Sequence, residues 1–338
     1  MRVLTLNFDA NTGFSLSGSV NPSVIGIGFF DGVHLGHQAL IKEVVHAAAC
    51  RSLPAAILTF DSYPKQDRQG GTRIHIQSLE QRLAVFEAMG IDEVYVQNFN
   101  DDYRNLSAED FFNDCLVEAL SAQMIICGED FCFGRGRSAD IHFLKKKCAA
   151  AKIDFLTTPL SYRDGEKISS STIRQWIESG ELERVQECLG RPYAIRGRVC
   201  HGQSLAHTWS RPTANIEVPD DIVLPPYGVY VTYAIKDERL HRAVSHLGVR
   251  PTVTRHTETV APVLETYFFN FDGDLYGQEV EVRFLEQHRS EIRFDSILAM
   301  TAQISRDFDE VEAIHKRREH FEMSYYDSAT RAFRMLAD

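Results

Sequence analysis

Along the first half of the chain, short apolar runs alternate with longer stretches of helical spacing. VIGIGFF (24–30) precedes ALIKEVVHAAAC (39–50), and PAAILTF (54–60) precedes SLEQRLAVFEAMG (78–90). EVYVQNF (93–99) then leads through SAEDFFNDCLVEAL (107–120) to MIICG (124–128). Apolar runs of four to eight residues read as strands covered on both faces, and a period near 3.6 reads as amphipathic helix. The alternation predicts an α/β domain with a parallel sheet and helices on both sides. Ligands of such sheets bind at the carboxyl ends of the strands. Three segments fall at those ends: GFFDGVHLGH (28–37), LTFDSYP (58–64) and ICGEDFCFGRGR (126–137).

The pattern changes after SSSTIRQWIESGELERVQECLG (169–190), which reads as one or two short helices with serines available to cap the first. GRPY (190–193) marks a break. YAIRGRVCHG, GVYVTYAI, HRAVSHLGV, ETYFFNF and QEVEVRFL follow, rich in valine, tyrosine and phenylalanine and without intervening helices, which predicts a β-barrel or sandwich. From about Ser296 the chain reads as helix to its end. The expected domains are residues 1–186 and 187–310, with a helical extension over 311–338. No internal repeat occurs.

Composition narrows this picture only slightly. The net charge of -11 argues against broad electrostatic binding to nucleic acid or an anionic membrane, while leaving room for a local phosphate pocket. Seven cysteines are scattered, with no C-x-x-C spacing, so neither a disulfide framework nor a structural zinc site is expected. The start has no signal-like apolar region and no run of eighteen apolar residues occurs, so the expected location is the cytoplasm. Oligomeric state leaves no signature in the sequence.

Two histidines bracketing a glycine, at a strand-to-helix junction, are the first candidate for chemistry. His34 and His37 make a poor zinc set, with no cysteine or third histidine nearby. Packing or capping is one reading of them. The other is anion binding: Gly28, Gly32 and Gly36 permit close backbone approach, the amides of a helix start favour phosphate, and imidazoles donate to oxygens whose charge grows during transfer.

GFFDGVHLGH resembles the H-x-G-H signature of the nucleotidyltransferases, which move a nucleotidyl group and release pyrophosphate. ISSSTIR (168–174) resembles the I-S-S-T-x-I-R element of the bacterial bifunctional riboflavin kinase/FMN adenylyltransferase, or FAD synthetase, family, with Ser171 at a position where threonine is usual. GEDFCFGRGRSAD (128–140) resembles that family's G-x-D-F-x-F-G segment. The resemblance implies a Rossmann-like nucleotidyltransferase domain followed by a riboflavin-kinase-like β-barrel. It implies catalytic roles for His34, His37, Ser170 and Arg174 on the ATP triphosphate. It also implies contacts to nucleotide or flavin from Gly28, Phe30, Asp31, Gly32, Gly36, Gly128, Asp130, Phe131, Ser169 and Ser171. Phe131 and Phe133 could stack on a ligand or fill the core, and Arg135 and Arg137 could steer anions or face solvent. One departure is Phe60-Asp-Ser-Tyr-Pro64, where the family commonly has F-x-P-H-P.

The C-terminal half resembles the riboflavin kinase domain of the same family. RPTANI (211–216) matches P-T-A-N, HLGVRPTV resembles S-N-I-G-x-R-P-T-F, and LETYFFNFDGDLYG (264–277) resembles V-E-x-H-x-L-D-F-x-x-D-L-Y-G. The resemblance implies that Thr213 and Asn215 hold Mg²⁺ and ATP phosphates and that Glu265 is the base for the ribityl hydroxyl; hard oxygens suit magnesium, and a carboxylate suits a hydroxyl proton. The glycine loop departs from the family, with Ala206, His207, Ser210 and Arg211 at positions of two glycines, an arginine and a phenylalanine. Three readings follow: substitute cations with the kinase retained, a monofunctional FMN adenylyltransferase, or a flavin-binding regulatory domain. ATP, FMN and riboflavin are the expected small-molecule partners. Another H-x-G-H nucleotidyltransferase, such as one using CTP, is the further alternative.

Overall fold

The computed structural model describes residues 1–61, 75–200, 213–250 and 261–335. They divide into two compact units, one holding residues 1–61, 79–170 and 333–335, the other 75–78, 171–200, 213–250 and 261–332.

The first unit is built on a seven-stranded sheet. Its strands are β1 (Arg2–Asp9), β2 (Gly13–Leu16), β3 (Ser23–Ile27), β4 (Ala55–Phe60), β5 (Glu93–Gln97), β6 (Ala122–Gly128) and β7 (Asp154–Thr158), in the order β2-β1-β5-β4-β3-β6-β7. All neighbours are parallel except β1 and β2. The helices are α1 (Leu35–Arg51), α2 (Leu79–Ala88), the single turns α3 (Asp101–Arg104) and α4 (Ala108–Asp110), and α5 (Ile141–Ala151). A two-stranded ribbon of β8 (Tyr162–Arg163) and β9 (Glu166–Lys167) follows.

Strand alternation explains why β3, β4 and β5 are continuous apolar runs. Ile25, Ile27, Ala56, Leu58 and Tyr95 pack on one face, beside Phe111, Phe112 and Leu144. Val24, Ala55, Ile57, Val94 and Val96 pack on the other, against Leu40, Ile41 and Val44 of α1 and Val85 and Phe86 of α2. With both faces covered, the middle of each strand is apolar on both sides, and the buried polar residues, Ser23, Thr59, Glu93 and Gln97, lie at or next to the strand ends. At the margin the demand is halved: in β1 only Leu4 and Leu6 are buried, and the β1–β2 hairpin is an element the run-based reading did not predict. The segment read as one helix over 107–120 is α4 followed by a π-helix, Phe111–Ala119. Its wider turn aligns Phe111, Phe112, Cys115 and Leu116 toward the core.

In the second unit, α6 (Ser170–Ser179, whose first residue belongs to the first unit) and α7 (Leu182–Leu189) precede a closed barrel. Its strands are β10 (Tyr193–Cys200), β11 (Ala214–Ile216), β12 (Gly228–Lys236), β13 (Arg239–Arg250), β14 (Ala261–Phe268) and β15 (Glu279–Ser290), in the order β10-β11-β14-β13-β12-β15, all antiparallel. Alternate residues of β12 divide between two environments. Val229, Val231 and Tyr233 meet Phe308 and Val311 of α8 (Ile297–Met335), while Tyr230 and Thr232 are buried in a different setting, with Tyr230 against Phe284. Asp307 anchors α8 by accepting from Arg289 Nε at 2.9 Å and Nη2 at 2.6 Å, and His315 Nε2 donates to the Ala243 carbonyl at 3.0 Å.

Gly197 in β10 is compelled by space. A Cβ there would lie 1.9 Å from the Glu217 carbonyl oxygen, a backbone atom that cannot swing away. Gly197→Ala is therefore expected to cost about 3 kcal/mol by overpacking, read as a lowered urea midpoint with an unchanged slope. All seven cysteines are free, and burial pushes the thiols of Cys127 and Cys148 up, to about 12 and about 11. Among the described residues, no helix is long and apolar enough to cross a membrane.

Candidate active site

Strand order in the first unit reverses at β3, which has β4 on one side and β6 on the other. Open α/β sheets form a ligand crevice at such a point. Here the crevice is a cleft of about 830 Å³ at the carboxyl ends of the strands, reached by Gly28 after β3, Phe60 of β4, Gly128 of β6 and Thr158 of β7.

The turn from β3 into α1 is strained. Phe30 (φ 57°), Gly32 (φ 77°) and Val33 (φ 37°) all lie in the left-handed region, which a β-branched residue adopts only when its surroundings over-determine it. Gln38 Nε2 donates to the Val33 carbonyl at 2.9 Å, and Thr59 Oγ1 donates to the Phe29 carbonyl at 3.0 Å. His34 then caps α1: its Nδ1 accepts from the His37 backbone N–H at 3.3 Å. An accepting Nδ1 leaves the proton on Nε2, so His34 is a donor at its other edge. The two imidazoles stack, with centroids 3.6 Å apart and planes 17° from parallel, and Phe30 packs edge-on to His37. Capping and anion donation, set against each other in the sequence, are compatible in His34 because each uses a different nitrogen.

The intervening glycine has a more local reason than ligand approach. A Cβ on Gly36 would press on the His34 ring and on Ser161 Oγ, each at 3.2 Å, so Gly36 leaves room for its own neighbour's imidazole. Gly28 likewise faces the Phe30 ring at 3.1 Å, whereas Gly32 answers to its positive φ.

Ser170, at the start of α6, donates from Oγ to the Asp31 carbonyl at 2.9 Å, joining segments some 139 residues apart in sequence. His34, His37, Gly28, Phe30, Gly36, Ser169 and Ser170 all line the cleft, as do Gly128, Asp130 and Phe131. Asp31 is buried beneath the turn, and neither Asp31 nor Gly32 lines the cleft. Asp130 pairs with Lys167 Nζ at 2.6 Å, so part of its charge is answered within the protein. Ser171 and Arg174 belong to the second unit, where Arg174 is buried and donates to Ser171 Oγ at 3.3 Å. Arg135 and Arg137 are exposed on the cleft rim, while Phe133 is buried and Phe131 stacks on it at 5.6 Å.

Sequence reasoning missed much of the cleft wall. Phe29 and Phe60 stand nearly parallel, 6.2 Å between centroids, with Phe99 and Tyr103 beyond them. Ser161 and Lys167 are presented by the turn before β8 and by β9. TTPLS, which closes β7 and runs on beyond it, was the available signal, since it leaves a strand end as the recognised motifs do.

In the barrel, Asn215 of β11 stands directly opposite Glu265 of β14, which has His246 of β13 on its other side. Directly opposed residues share a face, so these three form one row. The adjacent row runs Ala214, Thr266, Ser245, Tyr230, and Thr232, diagonal to Ser245 on β12, completes a chain of three buried hydroxyls linked at 2.8 Å and 2.8 Å. Thr213 and Asn215, two positions apart, offer neutral hard oxygens; among the described residues no cluster of three His, Cys, Asp or Glu side chains could hold a metal. This donor set fits Mg²⁺ only where nucleotide phosphates supply most of the ligands. The altered loop with Ala206, His207, Ser210 and Arg211 lies outside the described residues, as do residues 62–64 and 251–253 of the other compared segments.

Comparison with known proteins agrees with this layout. Residues 17–172 match the FAD synthetase family model and residues 189–315 match the riboflavin kinase model. The bifunctional riboflavin kinase/FMN adenylyltransferase of Listeria monocytogenes is 31% identical over 301 residues, 88% of this chain and 93% of the relative. That of Escherichia coli is 33% identical over 286 residues, 84% and 90% of the two chains. A solved structure described as a macrolide-efflux protein from Streptococcus pneumoniae superposes with a TM-score of 0.76 at 30% identity, covering 87% of this chain and 95% of the other. This chain belongs to the bifunctional riboflavin kinase/FMN adenylyltransferase family.

Proposed function

We propose that the protein makes FAD in two steps, phosphorylating riboflavin to FMN and then joining FMN to AMP from ATP. Adenylyl transfer is assigned to residues 1–186 and phosphorylation to 187–310, with 311–338 as a helical extension, in the cytoplasm and with small molecules rather than nucleic acid or membrane as partners. The observation that carries adenylyl transfer is the Ser170–Asp31 hydrogen bond, which supports a single phosphate site shared by two motifs.

In the first reaction centre, an FMN phosphate oxygen attacks the ATP α-phosphorus. The bond to the α,β-bridging oxygen breaks and pyrophosphate leaves, so no covalent enzyme intermediate is needed. The Nε2–H of His34, the His37 imidazole and Ser170 donate to phosphate oxygens as their charge rises. Orientation of the two substrates supplies the rest of the acceleration. Asp130 and Phe131 are assigned to the flavin and adenine end of the cleft.

In the barrel, the terminal ribityl hydroxyl of riboflavin attacks the ATP γ-phosphorus, Glu265 takes its proton and ADP leaves. Thr213 and Asn215 would hold Mg²⁺ with the nucleotide, and the ion when bound would offset phosphate charge.

One experiment tests both assignments. Purified protein is given FMN and ATP, or riboflavin and ATP with Mg²⁺, and products are separated by chromatography. FAD in the first arm and FMN in the second are expected, with CTP failing to replace ATP. FAD without FMN would leave a monofunctional adenylyltransferase; product from CTP alone would move the chain to another nucleotidyltransferase class.

A further inference from the structure

Arg82, on α2, is 1% exposed and has no counterpart among the motifs. Holding a guanidinium out of water is costly unless every contact is well made. Its contacts converge on the cleft: Nη1 donates to the Phe29 carbonyl at 2.8 Å and to Thr59 Oγ1 at 3.2 Å, and Nη2 donates to the Phe60 carbonyl at 3.0 Å. The guanidinium also lies over the Phe29 ring, 4.8 Å from its centroid. Phe29 lies two residues beyond β3, Phe60 ends β4, both line the cleft, and Phe29 is the last residue before the left-handed turn that sets His34 and His37.

We infer that Arg82 is a positioning residue for adenylyl transfer, a buried clamp that ties the turn after β3 to the end of β4 and holds that strained turn in its catalytic shape. This rests on assigning adenylyl transfer to the cleft. The fork is what matters: two carbonyls, one just beyond β3 and one at the end of β4, are bridged by one planar group, which an ammonium cannot reproduce. Because the clamp touches backbone rather than substrate, its loss misplaces donors that act on the transition state. Displacements of about 1 Å cost on the order of 10²-fold.

The test compares Arg82→Lys and Thr59→Val with wild type in the full-length chain. Thr59→Val keeps shape but removes the hydroxyl that bonds both Arg82 and Phe29. For Arg82→Lys we expect FAD formation to fall about 10²-fold in kcat, with KM for ATP and FMN changing much less. Riboflavin phosphorylation should be unchanged, and free guanidinium ion should partly restore the FAD rate. Hydrogen exchange in the peptide over residues 28–38 should accelerate in both variants, more in Arg82→Lys. Wild-type kcat in Arg82→Lys, or activity lost only in proportion to unfolded protein, overturns the inference. Were wild type itself to make no FAD, the functional assignment would fall, and exchange over 28–38 alone would still decide whether Arg82 holds the turn.

Discussion

Replacing His37 by alanine is expected to lower FAD formation from FMN and ATP by about two to three orders of magnitude. Riboflavin phosphorylation by the same polypeptide should be unaffected. The expectation follows from what the side chain does and does not support. The cap of α1 runs from the His37 backbone N–H to His34 Nδ1, and alanine keeps that N–H. What is lost is an imidazole stacked 3.6 Å from its partner and packed on Phe30, at the wall of the cleft. His34→Ala differs, because it also removes the cap, worth about 1 kcal/mol. His34→Asn should restore the cap, and with it the thermal midpoint, but not the rate. Steady-state FAD synthesis and thermal unfolding on the three variants separate these outcomes; wild-type rates in His37→Ala would dismiss the phosphate role of the ring.

The legible part of the fold was the part governed by burial on both sides. β3, β4 and β5 are apolar on both faces along their middles, so their runs stand out, and α1 and α2 carry the matching period. The β1–β2 hairpin, α5 and β7 were not foreseen, because each meets the core along one face only and its polar positions mask the pattern. Asp154, Phe155, Leu156 and Thr157 of β7, for example, alternate between exposed and half-buried. The π geometry of Phe111–Ala119 was invisible for a different reason: four apolar residues in two adjacent pairs fit an α-helix nearly as well.

The cleft was legible only where its residues lie close in sequence. His34 and His37 announce themselves as a motif, and Ser169 and Ser170 as another. That the two meet is a fact of topology, carried by the Ser170–Asp31 bond. Arg82 gave no signal, since an arginine on an amphipathic helix reads as solvent-facing until the backbone it grips is known. The glycines show the same limit. Their number suggested an approach route for phosphate, whereas Gly36 makes room for the His34 ring.

Glu265→Gln is the second large effect expected, a loss of about 10²–10⁴ in riboflavin phosphorylation with FAD synthesis from supplied FMN intact. The substitution keeps volume and one acceptor oxygen, so the row Asn215–Glu265–His246 should keep its register, and the buried hydroxyls of Thr232, Ser245 and Thr266 beside it should stay linked. The negative charge and the capacity to accept a proton disappear. Glu265→Asp separates base from scaffold: it keeps the carboxylate but shortens its reach, so it should fall between wild type and glutamine. A purely structural role predicts the reverse order, because glutamine fits the site better than aspartate. Product chromatography with riboflavin, ATP and Mg²⁺ reads the ranking directly. Equal FMN formation by wild type and Glu265→Gln would remove the carboxylate from the chemistry. An inactive wild type that still makes FAD from FMN would mean that the altered loop at 206–211 had already ended phosphorylation while Thr213, Asn215 and Glu265 stayed in place.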